Sequence, residues 1–299
     1  MYFDRINNKN EIELFVRSLS SPEQSKDFFL NGLTNSSNTV SLAVRKGHEI
    51  IGVLHTWHNT FHPHITYMSM IIDPTFNLKS IAVPMLEQLK TEESEMKNRM
   101  QISFCSTDPL VNVFKEVGAI EVRRTYMPTI ALRKKCINKE WNNDYNAIPL
   151  ADLTNAFEKG QAIEFIHDTY IRTYQANPPA NFSNDVWERL IFAEDTLLDH
   201  SYVITSVKDG AIKAFSLLHH IDTQTVEVGW VGADSANSFD LLDYVIVTQW
   251  NALVNQGYEK LEGEFDSTSP YAMHVLKSLS PNWEKALVTL QFDLNSLNL

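Results

Sequence analysis

One carboxylate stands out because it lies within an apolar run. Glu227 is flanked by Val226 and Val228 in a segment whose pattern predicts a β-strand. If this side chain faces the interior, burial disfavours the charged carboxylate and raises its pKa. Side chains alternate between the two faces of a strand, so a solvent-facing position is equally compatible with the pattern. Glu227 is therefore a candidate for proton transfer, with an exposed strand residue as the alternative.

Histidines and cysteines are the other residue types that commonly do chemistry. His55, His58, His62 and His64 lie close together in the sequence, and the pair 219–220 occupies the corresponding place in the second half. A zinc site needs convergent ligands. These histidines span a hairpin turn whose faces alternate, so we predict surface turn residues and no metal site. Of the two cysteines, Cys105 lies in an apolar run that predicts a core position, and the pair makes no disulfide framework.

Length and charge limit the classes of function. The chain has 299 residues, 43% hydrophobic residues and a formal net charge of -12. These values predict a globular protein of two domains and argue against a general nucleic-acid binder, which needs a basic face. No apolar stretch approaches the roughly 20 residues that span a bilayer, and the first residues do not resemble a signal peptide. We therefore expect a cytoplasmic protein with no membrane partner.

The two halves of the chain repeat one pattern at an offset of about 160 residues. Segment 41–44 aligns with 201–204, and segment 65–71 aligns with 225–231. Each half predicts a strand, two helices, three antiparallel strands, a helix, a strand, a helix and a strand. This order indicates an α/β fold with a mostly antiparallel mixed sheet flanked by helices in each half. The predicted domains are 1–135 and 146–299, joined by a polar linker at 136–145.

The element order resembles the GNAT superfamily of acyl-CoA-dependent N-acyltransferases, present here as a tandem of two copies. In that family a strand leads to a loop that opens the next helix and holds the pyrophosphate of coenzyme A on free backbone N–H groups. In the first copy, Ala82 fits the last small position of the loop, Ser80 replaces a glycine, Asn77 replaces a basic or amide residue, and Lys79 adds positive charge. The resemblance implies acetyl-CoA as co-substrate and the following coenzyme-binding residues: Met70, Ile71 and Ile72 along the pantetheine arm, then Asn77, Leu78, Lys79, Ser80, Ile81 and Ala82.

The second copy of the loop is less suited to a phosphate. Asp240 and Leu242 occupy the positions where the family has small residues, and Asp234 and Asp243 lie nearby. Carboxylates repel a pyrophosphate, so the first half is the better coenzyme binder. The alternative is that both loops are ordinary helix starts without a ligand.

The catalytic groups that the resemblance implies are divided between the copies. Glu227 holds the place of the family's base in the second copy, where the first copy has Tyr67. At the place of the general-acid tyrosine the first copy has Phe114, which has no proton to donate. In the second copy Tyr271 or His274 lies near that place, and we take Tyr271 as the candidate acid.

These features predict acetyl-CoA-dependent N-acetylation of a small-molecule amine, with the acidic composition favouring a cationic acceptor. A hairpin histidine would then line the acceptor site. The first alternative is a non-catalytic acyl-CoA-binding or scaffold protein that kept the fold. The second is a transferase for an aminoacyl or larger acyl group.

Overall fold

The computed structural model describes all residues except 22, 35–37, 93–98, 134–141, 280 and 282–284. The chain forms two compact units. Unit 1 comprises 1–124, 176–180 and 285–299, and unit 2 comprises 125–175 and 181–284. Most of the predicted linker lies outside the described residues. No helix among the described residues has the length and apolar character needed to cross a membrane.

The helices and strands follow the predicted alternation. Those of the first half are β1 (Tyr2–Arg5), α1 (Lys9–Ser18), α2 (Glu23–Leu33), β2 (Asn38–Lys46), β3 (Glu49–His58), β4 (Thr66–Ile72), α3 (Lys79–Thr91), β5 (Arg99–Cys105), α4 (Leu110–Glu116) and β6 (Ile120–Tyr126). Those that follow are β7 (Ile130–Ala131), β8 (Tyr145–Pro149), α5 (Ala156–Thr173), α6 (Asn184–Ile191), β9 (Tyr202–Ser206), β10 (Ile212–His220), β11 (Thr225–Ala233), α7 (Phe239–Gln256), β12 (Lys260–Gly263), β13 (Phe265–Asp266), α8 (Pro270–Leu279) and β14 (Ala286–Asp293).

Unit 1 is a mixed sheet with helices on both faces. Its strand order is β1-β2-β3-β4-β5-β14-β6, and only β4 and β5 run parallel in the described registers. On one face α3 and α4 cover the main core, because Ile81, Met85 and Leu89 recur at helical spacing and are buried. On the other face α1 and α2 pack against alternate strand residues such as Val53 and Ile71.

The last strand differs from the prediction. The duplicated order assigned the segment 286–292 to the second half, within domain 146–299, but β14 lies beside β5 in unit 1. It pairs antiparallel with the whole of β5, from Leu287 opposite Cys105 to Asp293 opposite Arg99. Alternate residues of β14, among them Leu290, complete the core of unit 1. An apolar alternation predicts a strand, but it does not tell which sheet the strand joins.

Unit 2 contains a six-stranded sheet in the order β7-β12-β11-β10-β9-β8. Strands β11 and β12 are parallel, and the other described pairs are antiparallel. Helices α7 and α8 pack with the sheet around a core that includes Leu242, Trp250 and Leu276. The short β13 pairs with the end of β6 at Thr125 and Tyr126. The predicted mixed α/β fold class is confirmed in both units.

His55 is buried, which corrects its prediction as a surface turn residue. It lies on β3 opposite Ser69, with its ring centroid 4.6 Å from that of Phe29 and 5.1 Å from that of Trp57. No described residue bonds to either ring nitrogen. Gly32 leaves the room the ring needs, since a Cβ there would lie 2.7 Å from Nε2. Burial, helped by the charge of Lys9, lowers the pKa of His55 to about 3.

We predict that His55 makes the folded chain sensitive to mild acid. Below the ordinary histidine pKa the unfolded chain takes up a proton on this ring, whereas the folded chain does so only near pH 3. The free energy of unfolding therefore falls by about 1.4 kcal/mol per pH unit from this group as the pH drops from about 6 to 4. The free energy of unfolding, measured with urea at several pH values, should show this slope in the wild type and not in His55→Leu. The exposed control His48→Gln should keep it, and an unchanged slope in His55→Leu would contradict the assignment.

Candidate functional site

The site in unit 1 begins where two parallel strands part. The described pairing of β4 with β5 runs from Thr66 opposite Met100 to Met68 opposite Ile102. Beyond that point β4 continues to pair with β3, and β5 continues to pair with β14. The second half of β4 therefore faces a gap instead of a neighbouring strand.

The backbone of β4 presents hydrogen-bonding groups to this gap. Asp73 N donates to Ile51 O on the β3 side at 2.9 Å. Because backbone groups alternate along a strand, the N–H and C=O groups of Met70 and Ile72 point the other way. Buried backbone groups need partners. An extended ligand with amide groups can supply those partners in place of a strand.

A cavity of about 260 Å³ occupies the gap. Its walls are mainly apolar and include Met70, Ile72, Phe29 and Leu287, with the start of α4 at one end. The helix α2 contributes Ser25 as well as Phe29, so the cavity lies between the sheet and this helix. Its volume is close to the lower limit for small-molecule sites.

The sequence assigned none of the polar side chains of this cavity to a site, and three of them are notable. Ser69 is buried, and no hydrogen-bond partner is described for its Oγ. Cys105, predicted as core, borders the cavity, with its Sγ 3.8 Å from Ser25 Oγ. Burial raises the pKa of Asp108, although Leu110 N donates to its Oδ1 at 2.9 Å. Their location depends on the parting of β4 and β5, which the sequence pattern does not reveal.

The predicted phosphate loop is partly occupied by its own side chains. Asn77 Oδ1 accepts from Ser80 N at 3.0 Å, and Leu78 O accepts from the N–H groups of Ile81 and Ala82. These bonds leave the N–H groups of Leu78 and Lys79 at the open end of α3.

Lys79 is ion-paired with Glu116, with 2.8 Å between Nζ and Oε2, so its charge is already balanced. Ile81 and Ala82 are buried in the core and offer no side chain to a ligand. Of the predicted coenzyme-binding residues, Met70, Ile71, Ile72 and Leu78 border the cavity.

The corresponding gap in unit 2 is smaller. Strands β11 and β12 pair as far as Val228 opposite Gly263. There β11 carries a bulge, because Gly229 and Trp230 lie where β10 has the single residue Leu217. The cavity at this bulge has a volume of about 40 Å³ and is bordered by Trp230 and by Tyr170 of α5.

Two carboxylates of the acidic loop in unit 2 have hydrogen-bond or ion-pair partners that the sequence did not predict. Asp243 accepts from Ser278 Oγ at 2.7 Å and lies 2.8 Å from His274 Nε2. Asp234 is ion-paired with Lys213 at 3.1 Å. The predicted repulsion of a phosphate by these carboxylates is therefore weaker than the sequence indicated.

Glu227 lies on β11 directly opposite His219 on β10. Its pKa is raised, first by burial and then by the neighbouring carboxylates of Glu264, Glu262 and Asp195. His219 Nδ1 lies 3.5 Å from Asp195 Oδ2, and its ring lies over Gly229, where a Cβ would be 2.3 Å from Cδ2. The sequence pointed to the histidine pair 219–220 but not to this arrangement, which depends on the pairing of two strands.

Tyr271 lies elsewhere in unit 2, in the apolar core. Its ring packs edge-on against Phe239 at 6.0 Å, and 8% of the residue is exposed. No described contact or cavity brings Tyr271 together with Glu227. The ring therefore contributes to the core packing of unit 2, and a general-acid role for Tyr271 stays a prediction.

The corresponding positions of unit 1 have no such carboxylate. Tyr67 accepts a hydrogen bond from Asn177 Nδ2 at 2.7 Å, and burial raises the pKa of its hydroxyl. It therefore stays protonated at neutral pH. Phe114 is fully buried between Phe104 and Phe292, at centroid distances of 5.3 and 5.7 Å.

The fold is that of known acyltransferases. The chain is similar in structure to a GCN5-related N-acetyltransferase from Sphaerobacter thermophilus, with a TM-score of 0.65, 12% identity, and 98% and 96% of the two chains covered. It is also similar to the tandem GNAT protein from the clavulanic acid biosynthesis pathway (TM-score 0.54, 9% identity, 98% of each chain). A third similar structure is a GNAT-family acetyltransferase from Colwellia psychrerythraea (TM-score 0.52, 12% identity, 98% and 100%).

The sequence comparisons add no match, since no protein-family model and no curated protein matches the chain. At these identities the structural likeness shows the fold alone. The chain has the fold of the GNAT N-acetyltransferases over almost its whole length, as its element order predicted.

We predict that removing the charge of Glu227 stabilises the folded chain near neutral pH. Its raised pKa means that the folded state disfavours the ionised carboxylate, so stability from this group falls as the pH rises above the ordinary glutamate pKa. Glu227→Gln should have a higher Tm than the wild type at pH 7.5, and the two Tm values should be nearly equal near pH 4. Glu188→Gln, which changes an exposed carboxylate of α6, should leave Tm nearly unchanged. A lower Tm for Glu227→Gln at pH 7.5 would show that the charge is held by a partner.

Proposed function

We propose that the protein is an acyl-CoA-dependent N-acyltransferase that binds its coenzyme substrate on unit 1 and acetylates a small amine. The observation that carries the proposal is the gap between β4 and β5, in which a cavity of about 260 Å³ meets the inward backbone groups of Met70 and Ile72. The fold shared with N-acetyltransferases supports the class of reaction.

The residues of the gap suit an acyl thioester on a pantetheine arm. The amide groups of such an arm can pair with Met70 and Ile72 as a further strand would. The apolar walls from Phe29 and Leu287 suit the acyl group. Leu78 and Lys79 follow in the sequence, and their N–H groups at the start of α3 can bind a phosphate.

The chemistry requires few groups. A neutral amine attacks the thioester carbonyl, the oxygen gains negative charge, and a thiolate leaves as the amide forms. Ser69 Oγ and the backbone N–H groups at the gap can donate to that oxygen. A carboxylate of raised pKa must take the amine proton. Asp108 is the candidate in the cavity of unit 1. Glu227 is the candidate if the reaction takes place on unit 2.

We predict that acetyl-CoA raises the melting temperature of the wild type, because a ligand that binds only the folded state stabilises it. Ser25→Phe should abolish this shift by filling the cavity from α2. Ser18→Phe, on the exposed end of α1, is the matched control and should retain it. Acetyl-CoA should also slow the alkylation of Cys105 in the wild type. If acetyl-CoA shifts the Tm of Ser25→Phe as much as that of the wild type, the coenzyme binds elsewhere. Asp240→Gly then tests the loop of unit 2.

Turnover separates the enzyme from the alternative of a non-catalytic acyl-CoA-binding protein, which the buried Phe114 and the protonated Tyr67 favour. We predict release of free thiol when acetyl-CoA is incubated with a panel of small amines. Asp108→Asn should lower kcat by roughly 100-fold, the usual contribution of a proton-transfer group, if the reaction takes place on unit 1. Glu227→Gln should do so if it takes place on unit 2. Binding of acetyl-CoA without thiol release for any amine would favour the alternative, and undiminished kcat in a variant would remove that residue as the base.

A further inference from the structure

A hydroxyl and a thiol border the cavity of unit 1 from the two strands that part. Ser69 of β4 lies two residues before Ile71, which packs under α1 and α2, so both side chains point to that face of the sheet. Cys105 ends β5 and borders the same cavity, and its Sγ lies 3.8 Å from Ser25 Oγ of α2. A ligand between the sheet and α2 therefore meets both groups.

Ser69 has hydrogen-bonding capacity that the described fold does not use. It is 3% exposed, and its Oγ has no partner among the described residues. Ser103 on β5 differs, because its Oγ lies 3.0 Å from Thr289 Oγ1 and shares a hydrogen bond with it. A buried hydroxyl without a partner costs free energy that a bound ligand can recover. Ser69 thus indicates a ligand with a hydrogen-bond acceptor, such as a carbonyl oxygen.

The surroundings of Cys105 suit a nucleophile, whose reactive form is the thiolate. Ser25, in the first turn of α2, donates to the sulfur and can stabilise the negative charge that develops there during attack. Asp108 N donates to Cys105 O at 2.8 Å, and both residues border the cavity. One tight turn therefore carries the thiol and a carboxylate that can take its proton.

We propose that Cys105 accepts the acyl group from the coenzyme and then passes it to the amine. This inference rests on the coenzyme site proposed for unit 1, and it names the thioester that the amine attacks. In the first step Cys105 Sγ bonds to the acyl carbon, and the bond between that carbon and the coenzyme sulfur breaks. The thiol proton passes through the Asp108 carboxylate to the departing coenzyme thiolate.

The second step regenerates the thiol. The amine nitrogen bonds to the acyl carbon, the bond from that carbon to Cys105 Sγ breaks, and a proton of the amine returns to the sulfur. Ser69 Oγ donates to the acyl oxygen in both steps. One thioester is exchanged for another and then for an amide, so no further reactant is required.

Isotope exchange tests the first step without any amine. The whole chain is incubated with acetyl-CoA and with coenzyme A that carries a heavy-isotope label. Because formation of an acyl-enzyme is reversible, labelled acetyl-CoA should appear with the wild type, whereas direct transfer to an amine gives no exchange when the amine is absent. Mass spectrometry of the acid-quenched protein should show one acetyl group on the peptide that contains Cys105, and neutral hydroxylamine should remove it.

Variants locate the acyl carrier. Exchange and the acetyl label should be lost in Cys105→Ala and kept in Cys136→Ala, which removes the other cysteine of the sequence. Ser69→Ala should slow exchange by roughly 100-fold, the usual loss on removal of one oxyanion donor. Exchange at the wild-type rate in Cys105→Ala or in Ser69→Ala would overturn the proposal, as would an acetyl label that resists hydroxylamine.

The Tm shift with acetyl-CoA distinguishes failure of this inference from failure of the proposed function. If acetyl-CoA raises the Tm of the wild type and amines are acetylated, but neither exchange nor label is found, Cys105 is not the acyl carrier and the coenzyme site stands. If acetyl-CoA neither raises Tm nor reacts, the proposed function and this inference both fail. The wild type alone decides these outcomes, so they do not depend on the folding of a variant.

Discussion

The site in each unit lies beyond the point where the pairing of two parallel strands stops. In unit 1 the ladder between β4 and β5 stops at Met68 and Ile102, although both strands continue. The backbone groups of Met70 and Ile72 then need partners that none of the described strand pairings supplies. Strand β14 pairs with the whole of β5 on the side away from β4, and this pairing fixes the course of β5. The cavity, its apolar lining and the place of Asp108 all follow from that separation.

The two units differ in what occupies the space beyond the paired strands. In unit 1 the ladder of β3 with β4 is regular from Gly52 to His58, and the gap stays open. In unit 2 a bulge at Gly229 and Trp230 turns β11, and aromatic rings fill most of the gap. The missing side chain of Gly229 also admits the ring of His219. One duplicated topology therefore carries an open apolar cavity in one copy and a small aromatic one in the other.

Sequence periodicity predicted the parts of the fold that depend on local pattern. It predicted the buried face of α3, because apolar residues recur there at helical spacing. For Glu227 it left burial, with the raised pKa that the structure shows, and a solvent-facing position as equal alternatives. It did not predict the sheet that β14 joins, nor the cavity positions of Cys105 and Asp108. Those features depend on which segments meet in space, and a strand pattern specifies its buried face but not its neighbours.

The charged and polar residues that the sequence indicated for a ligand already have partners within the fold. Lys79 is paired with Glu116, and Asn77 caps its own helix, so neither contributes an uncompensated group to a phosphate. With a formal net charge of -12, long-range attraction of a polyanionic coenzyme is also unfavourable. The affinity of unit 1 for such a ligand must therefore come mainly from backbone pairing at β4 and from burial in the apolar cavity.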